Sequence, residues 1–323
     1  MLRKLFAKVA ILGIITALAS CSGLQSTSES TSESTSASTS ASTSEQQAAQ
    51  EQVSIVIADI SNNPSKKIKR YQPLADYLAE RLGKFGVTSG DVHVAADLGE
   101  MANLLKSGEV DIYFDSPYPS MIVSTQSGAE PVLRRWKGGV SEYYTVFFTM
   151  KDRGITSLED LKGKKLGFDE VSSTSGYMLP MAMLLEAGLN PQEQASATST
   201  VSPDEVGYVF SGDDENTIQW VISGKVDAGA IDIGTFMEIP EVSREAMVVL
   251  AESEKVARHI VLLRSGMKPE MVEAIKTILI EMDQTPEGKE VLEQFEETSK
   301  FDNFPPEASI ARMRELYELV QNR

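Results

Sequence analysis

A five-residue pattern occurs once in each half of the chain, and it constrains the fold more than any other feature. Ser107-Gly108-Glu109-Val110-Asp111 runs into Ile112-Tyr113-Phe114-Asp115, and Ser223-Gly224-Lys225-Val226-Asp227 runs into Ala228-Gly229-Ala230-Ile231-Asp232. Each copy follows a stretch with helical apolar spacing and leads into a short apolar run that ends on an acid. Each therefore reads as helix, tight turn, strand. Two copies in different halves predict two α/β lobes of related build. Ligands of open α/β sheets collect beyond the carboxyl ends of the strands, which aims Asp115 and Asp232 at one cleft.

The flanking segments fit that plan. Val53 to Ile57 is an apolar, β-branched strand, and Tyr71, Leu74, Leu78 and Leu82 recur at helical spacing after the loop Asp59 to Pro64. A strand at Val92 to Ala96 and a helix at Glu100 to Lys106 repeat the unit, which predicts parallel strands with helices on their faces. Tyr143 to Met150 is a strand, and Ser157 to Leu161 a short capped helix. A crossing near Tyr144 and a return around His259 to Arg264, after a strand Met247 to Ala251, divide the chain. Lobe 1 is then 53–145 plus 264–323, and lobe 2 is 146–263. Helical patterns containing Ile275, Leu292 and Leu316 predict C-terminal helices that pack back on lobe 1.

Between strand Lys164 to Phe168 and helix Tyr177 to Ala187 lies a hydroxyl-rich loop, Asp169 to Gly176. A helix start leaves backbone N–H groups unpaired and carries the positive end of the helix dipole. Ser173, Thr174, Ser175 and their amides can hold an anion there. The alternative is an ordinary N-cap within a solvated turn.

The first residues do not belong to the fold. Arg3, Lys4 and Lys8 precede an apolar run, Val9 to Leu18, too short to span a bilayer comfortably. Leu18-Ala19-Ser20-Cys21 resembles a bacterial lipobox, which makes 1–20 a signal peptide and Cys21 the lipid-modified first residue. Cys21 is the only cysteine, so disulfides, cysteine nucleophiles and thiolate metal sites are excluded from the mature fold. The stretch 21–52 is mostly Ser, Thr, Glu, Ala and Gln in repeated units, which reads as a disordered tether to a membrane. The protein is expected in the cell envelope, on the outer side of the cytoplasmic membrane or in the periplasm. A formal charge of −17, more negative once the leader cations are removed, argues against nucleic acid or anionic lipid as the main partner.

Several further segments carry a family likeness: Arg70-Tyr71-Gln72-Pro73-Leu74-Ala75-Asp76-Tyr77-Leu78, Ser157-Leu158-Glu159-Asp160-Leu161-Lys162-Gly163-Lys164 and Ser173-Thr174-Ser175-Gly176-Tyr177, taken with the two repeated motifs. In this order the chain resembles the phosphate/phosphite/phosphonate-binding proteins, the substrate-binding components of phosphonate-type ABC transporters. The resemblance implies an α/β, two-lobed periplasmic-binding-protein fold of type II with hinge strands and C-terminal helices. It implies capture of a small phosphorus oxyanion between the lobes, delivery to an ABC permease, no cofactor and no catalysis, by a monomer. It also implies that Ser173, Thr174 and Ser175 grip phosphonate oxygens.

The chain departs from the family pattern at Asp115-Ser116-Pro117-Tyr118, where a neutral aromatic or glycine-containing segment is usual. It departs again at Asp213-Asp214, near which some members have a histidine. Carboxylates beside a dianion cost Coulomb energy. They can accept a hydrogen bond from a P–OH, or pair with the ammonium of a zwitterionic aminophosphonate. Asp214 can instead simply begin a helix. Ser116, Tyr118 and Tyr144 join Asp115, Asp214 and Asp232 as candidate cleft residues, with core packing the other reading for the tyrosines.

His93 and His259 lie far apart in apparent strands, and no hydrolase, nucleotide-binding or EF-hand pattern occurs. An enzyme therefore lacks its parts, and no metal site is expected. A sensor docking on a membrane receptor kinase is the other non-catalytic reading of such lobes.

Overall fold

The computed structural model describes residues 53–305 and 308–323, so the leader, Cys21 and the Ser/Thr-rich stretch lie outside the described residues. In chain order β1 (Val53–Ile60), β2 (Val87–Ala95), β3 (Ile112–Asp115) and β4 (Glu130–Lys137) begin one sheet. After a short β5 (Glu142–Tyr143) come β6 (Thr145–Met150), β7 (Lys165–Phe168), β8 (Pro191–Glu193), β9 (Val206–Phe210), β10 (Ala228–Asp232) and β11 (Met247–Glu252), which make the second sheet. The chain returns through β12 (Val256–Ala257) and adds β13 (His259–Leu263) and β14 (Thr298–Asp302) to the first. The strand orders are β14-β4-β13-β3-β1-β2 and β11-β6-β10-β7-β9-β8. β5 pairs antiparallel with β12, forming the two-strand hinge between the lobes.

The two repeated motifs build the same module. Gly108 and Gly224 end α2 (Leu98–Ser107, following α1 at Pro64–Arg81) and α5 (Asp214–Ser223) in the left-handed conformation, at φ 84° and 75°, where a Cβ would be strained. Asp111 then accepts from the Val56 N–H at 2.9 Å and donates its own N–H to the Val56 carbonyl at 2.9 Å. Asp227 does the same with Lys165, at 2.9 and 2.8 Å. The motif aspartate thus clamps each new strand beside a parallel neighbour, β3 on β1 and β10 on β7. Asp111 also holds Arg264 at 2.7 Å.

The sheets are mixed rather than wholly parallel. β1 is parallel to β2 and β3, and β7 to β9 and β10, but β13 runs antiparallel to β3 and β4, and β6 to β10 and β11. The β13 and β6 exceptions follow directly from the hinge, whereas β14 is added antiparallel to β4 at the edge of the first sheet. A chain arriving at the carboxyl ends of parallel strands has to run back between them. His259–Leu263 lies wholly in the first sheet, so the return occurs at β12, a few residues before the segment the sequence suggested.

Lobe 1 is packed by α1, α8 (Pro269–Glu281) and α9 (Pro286–Gln294), with an aromatic cluster of Tyr71, Phe114, Phe295 and Phe301 at its centre. The remaining helices are α3 (Pro117–Ser127), α4 (Leu179–Glu186), α6 (Ile233–Glu238), α7 (Glu241–Arg244) and α10 (Ala308–Gln321). The last does not pack on lobe 1 alone. Its buried stripe Met313, Leu316 and Val320 joins residues of α3 and α4 in one apolar cluster, and Arg312 pairs with Glu186 of lobe 2 at 2.7 Å. Among the described residues no helix is long and apolar enough to cross a membrane.

Candidate functional site

Helix α3 begins at Pro117 directly after β3, and its N-cap Ser116 makes no side-chain capping bond of its own. The cap is supplied from the opposite lobe. Thr174 Oγ1 accepts from the Tyr118 N–H at 2.9 Å and donates to Ser116 Oγ at 3.0 Å, with Thr174 only 1% exposed. Tyr143 of the hinge brings its phenol close to both hydroxyls, and burial pushes its pKa up. One hydroxyl from each lobe and one from the hinge therefore meet at the positive end of α3.

Thr174 reaches that position because of its own loop. Ser173 accepts from the Gly176 N–H at 3.0 Å and caps a five-residue π turn, Thr174 to Met178, that runs into α4. Gly176 is required by close approach: a Cβ there would lie 2.3 Å from Cβ of Asp169. Ser175 is buried in the same turn. Thus Thr174 joins the interlobe contact, whereas Ser173 is committed to its own turn.

Beside the hydroxyls opens a cavity of about 400 Å³ lined by Arg70, Lys137 and Glu296 of lobe 1, Tyr143 and Arg258 of the hinge, and Asp232 to Thr235 of lobe 2. The Arg258 guanidinium sits 4.5 Å from the centre of the Tyr143 ring. Asp232 caps α6, accepting from Gly234 N–H at 2.7 Å and Thr235 Oγ1 at 2.6 Å. Asp115 accepts from the Tyr113 hydroxyl and from the Ser116 N–H at 2.7 Å, and burial pushes its pKa up to about 6. Its oxygens are thus engaged within lobe 1.

The tyrosines divide by direction. Tyr118 contributes its N–H to the site, but its hydroxyl accepts from Gln321 at 2.7 Å and its ring faces a second cavity, of about 550 Å³, behind the interlobe contact. Tyr144 packs against the lobe 2 core with Lys255 at 6.0 Å, while its neighbour Tyr143 takes the cleft side. Alternation along an extended chain sends adjacent residues to opposite faces. Tyr143, Arg258, Lys137, Arg70 and Glu296 were not singled out from sequence. Arg70 opens a family-like segment on α1 without standing out there as a site residue, and no motif marks the others, because they come together only when β4, the hinge strands and the turn before β14 converge. Burial, and then Arg135 and the other cations around it, push the His259 pKa well below its usual value.

Asp214 follows the N-cap Asp213 at the start of α5, so it occupies a helix N-terminus and also sits beside Asp232 and Asp169. Its Oδ1 is buried without a hydrogen-bond partner among the described residues. Burial and then the two neighbouring carboxylates raise its pKa to about 7. A folded-state pKa above the unfolded value means that ionisation opposes folding, so stability is lost as pH rises from about 4 through about 7. Asp214→Asn should therefore raise the melting temperature most at pH 8, and the gain should shrink toward pH 4. Thermal melts across that range check it.

Two mixed α/β lobes on a two-strand hinge, with a polar cleft at the strand ends, define a bilobal solute-binding protein. The family described as "ABC transporter, phosphonate, periplasmic substrate-binding protein" matches residues 57–307. The chain belongs to that family. It is 25% identical over 236 residues to the phosphate-import protein PhnD of Mycolicibacterium smegmatis, a match covering 70% of each chain. Structures of XAC2383 from Xanthomonas citri, bound to chloride and bound to ATP, superpose with a TM-score of 0.75 at 29% identity, covering 83% of this chain and 97% of theirs. PhnD1 from Prochlorococcus marinus, in complex with methylphosphonate, shares the fold at 16% identity, with a TM-score of 0.58 and coverage of 83% and 98%.

Proposed function

We propose that this substrate-binding protein captures a small phosphorus oxyanion, a phosphonate, phosphite or phosphate, between its lobes and presents it to an ABC permease. The observation that carries the reading is Thr174 of lobe 2 bonded to the N-terminus of α3 in lobe 1. An oxyanion needs several donors and positive potential, and at this point three hydroxyls converge on a helix dipole with Arg258 and Lys137 lining the adjoining cavity. The relatives' names and ligands share anionic character: one is a phosphate-import protein, and the structures of XAC2383 hold chloride or ATP. Asp214, whose Oδ1 has no partner among the described residues, supplies an acceptor that favours a ligand still carrying a P–OH.

Isothermal titration with phosphate, phosphite, methylphosphonate and 2-aminoethylphosphonate tests the reading. Saturable one-to-one binding of at least one compound is expected; silence from all four would end it. The lipid anchor rests on Leu18-Ala19-Ser20-Cys21. Cys21→Ser should move the protein from the membrane fraction to the soluble fraction and abolish labelling by a fatty-acid probe. Retention of either property in the variant counts against the anchor.

A further inference from the structure

Glu296 is the one carboxylate lining the cavity that is both buried and surrounded by cations. Its side chain is 7% exposed, and Lys67 approaches it at 2.5 Å, Lys137 at 3.3 Å, Arg135 at 3.7 Å and Arg70 at 4.0 Å. These cations fall into two ranks. Arg70 and Lys137, with side chains 47% and 34% exposed, face the cavity; Lys67 and Arg135 lie behind. The other cavity acids differ. Glu238 and Glu297 are solvent-exposed and therefore screened, and Asp232 is committed to capping α6.

The chain holds Glu296 in place deliberately tightly. Glu296 and Glu297 have φ of 49° and 56°, a left-handed conformation that only a few per cent of non-glycine residues adopt. The Glu297 carbonyl accepts from Gly138 N–H at 2.9 Å, tying this turn to the end of β4, from which Lys137 projects. The turn carrying Glu296 and the strand end carrying Lys137 are thus held together by backbone, and Arg70 and Lys137 divide their attraction between Glu296 and whatever enters the cavity.

We infer that Glu296 determines which ligand charge the cleft accepts, by holding part of the positive charge of Arg70 and Lys137 so that the wall suits a monoanion better than a dianion. This rests on the reading of the cleft as an oxyanion site and adds its charge selection. A cavity of about 400 Å³ lies within the range of roughly 300–1,000 Å³ that houses organic ligands, so small esters of either charge fit.

The test compares methyl phosphate, a dianion at pH 8 because its second pKa is roughly 6, with dimethyl phosphate, which stays a monoanion. Their affinities for the parent, Glu296→Gln and Lys137→Gln are measured by titration at fixed ionic strength. Glu296→Gln should raise the ratio of dianion to monoanion affinity at least tenfold, and Lys137→Gln should lower it by a similar factor. If Glu296→Gln does not fold, the ratio in Lys137→Gln decides. A purely structural Glu296 would weaken both ligands together and leave the ratio unchanged, which overturns the inference. Binding of neither ester by a parent that still binds phosphate or methylphosphonate also overturns it, while leaving the oxyanion reading intact.

Discussion

Replacing Arg135 by methionine should destabilise the fold by about 3–5 kcal/mol, the range found when one member of a buried charge network is removed. Arg135 is fully buried on β4, and its guanidinium donates to Thr298 Oγ1 at 2.8 Å and to the Phe295 carbonyl at 3.2 Å while facing Glu296 at 3.7 Å. It also lies 4.1 Å from the centre of the Phe295 ring. Methionine fills most of the volume but returns none of those bonds, so two buried acceptors lose a donor and Glu296 loses one of four cations. Arg135→Lys should recover little, because a single ammonium cannot reproduce the planar fork. Chemical denaturation monitored by circular dichroism measures the loss. A change under about 1 kcal/mol would show that the network is not what fixes the turn at Glu296.

Thr174→Val carries the second large effect, on binding rather than stability. Valine has nearly the same shape but removes the hydroxyl that joins Ser116 and the Tyr118 N–H across the cleft. Loss of a hydrogen bond to an ionised group costs about 1.5–3 kcal/mol. The dissociation constant of the best oxyanion should therefore rise roughly 10- to 150-fold. Thr174→Ser keeps the hydroxyl and should bind within about threefold of the parent. Equal affinity of the valine variant and the parent, by calorimetry, would place the ligand elsewhere.

Local pattern made part of this architecture legible. The Ser-Gly-x-Val-Asp repeats encode a complete local unit, a left-handed cap followed by an aspartate that clamps the neighbouring strand, and such a unit is visible in five consecutive residues. The hydroxyl loop was legible for the same reason: strand, turn and helix start are contiguous. Tyr144 was named where Tyr143 lines the cleft, because β5 is only two residues long and too short to reveal its phase. Glu296 was invisible, since its meaning depends on cations 159 to 229 residues away that only the fold assembles. Asp214 begins α5, one of the two roles the sequence allowed, and lies beside Asp232. A helix N-terminus at the carboxyl edge of a sheet is the same place as a cleft wall.

A crystal structure with the tightest-binding compound of the phosphorus panel tests the assignment most directly. Phosphorus oxygens within hydrogen-bond distance of the hydroxyls of Ser116, Thr174 and Tyr143, with both lobes in contact with the ligand, are the expected result. A ligand held by one lobe alone, or lodged in the cavity behind Tyr118, would contradict it.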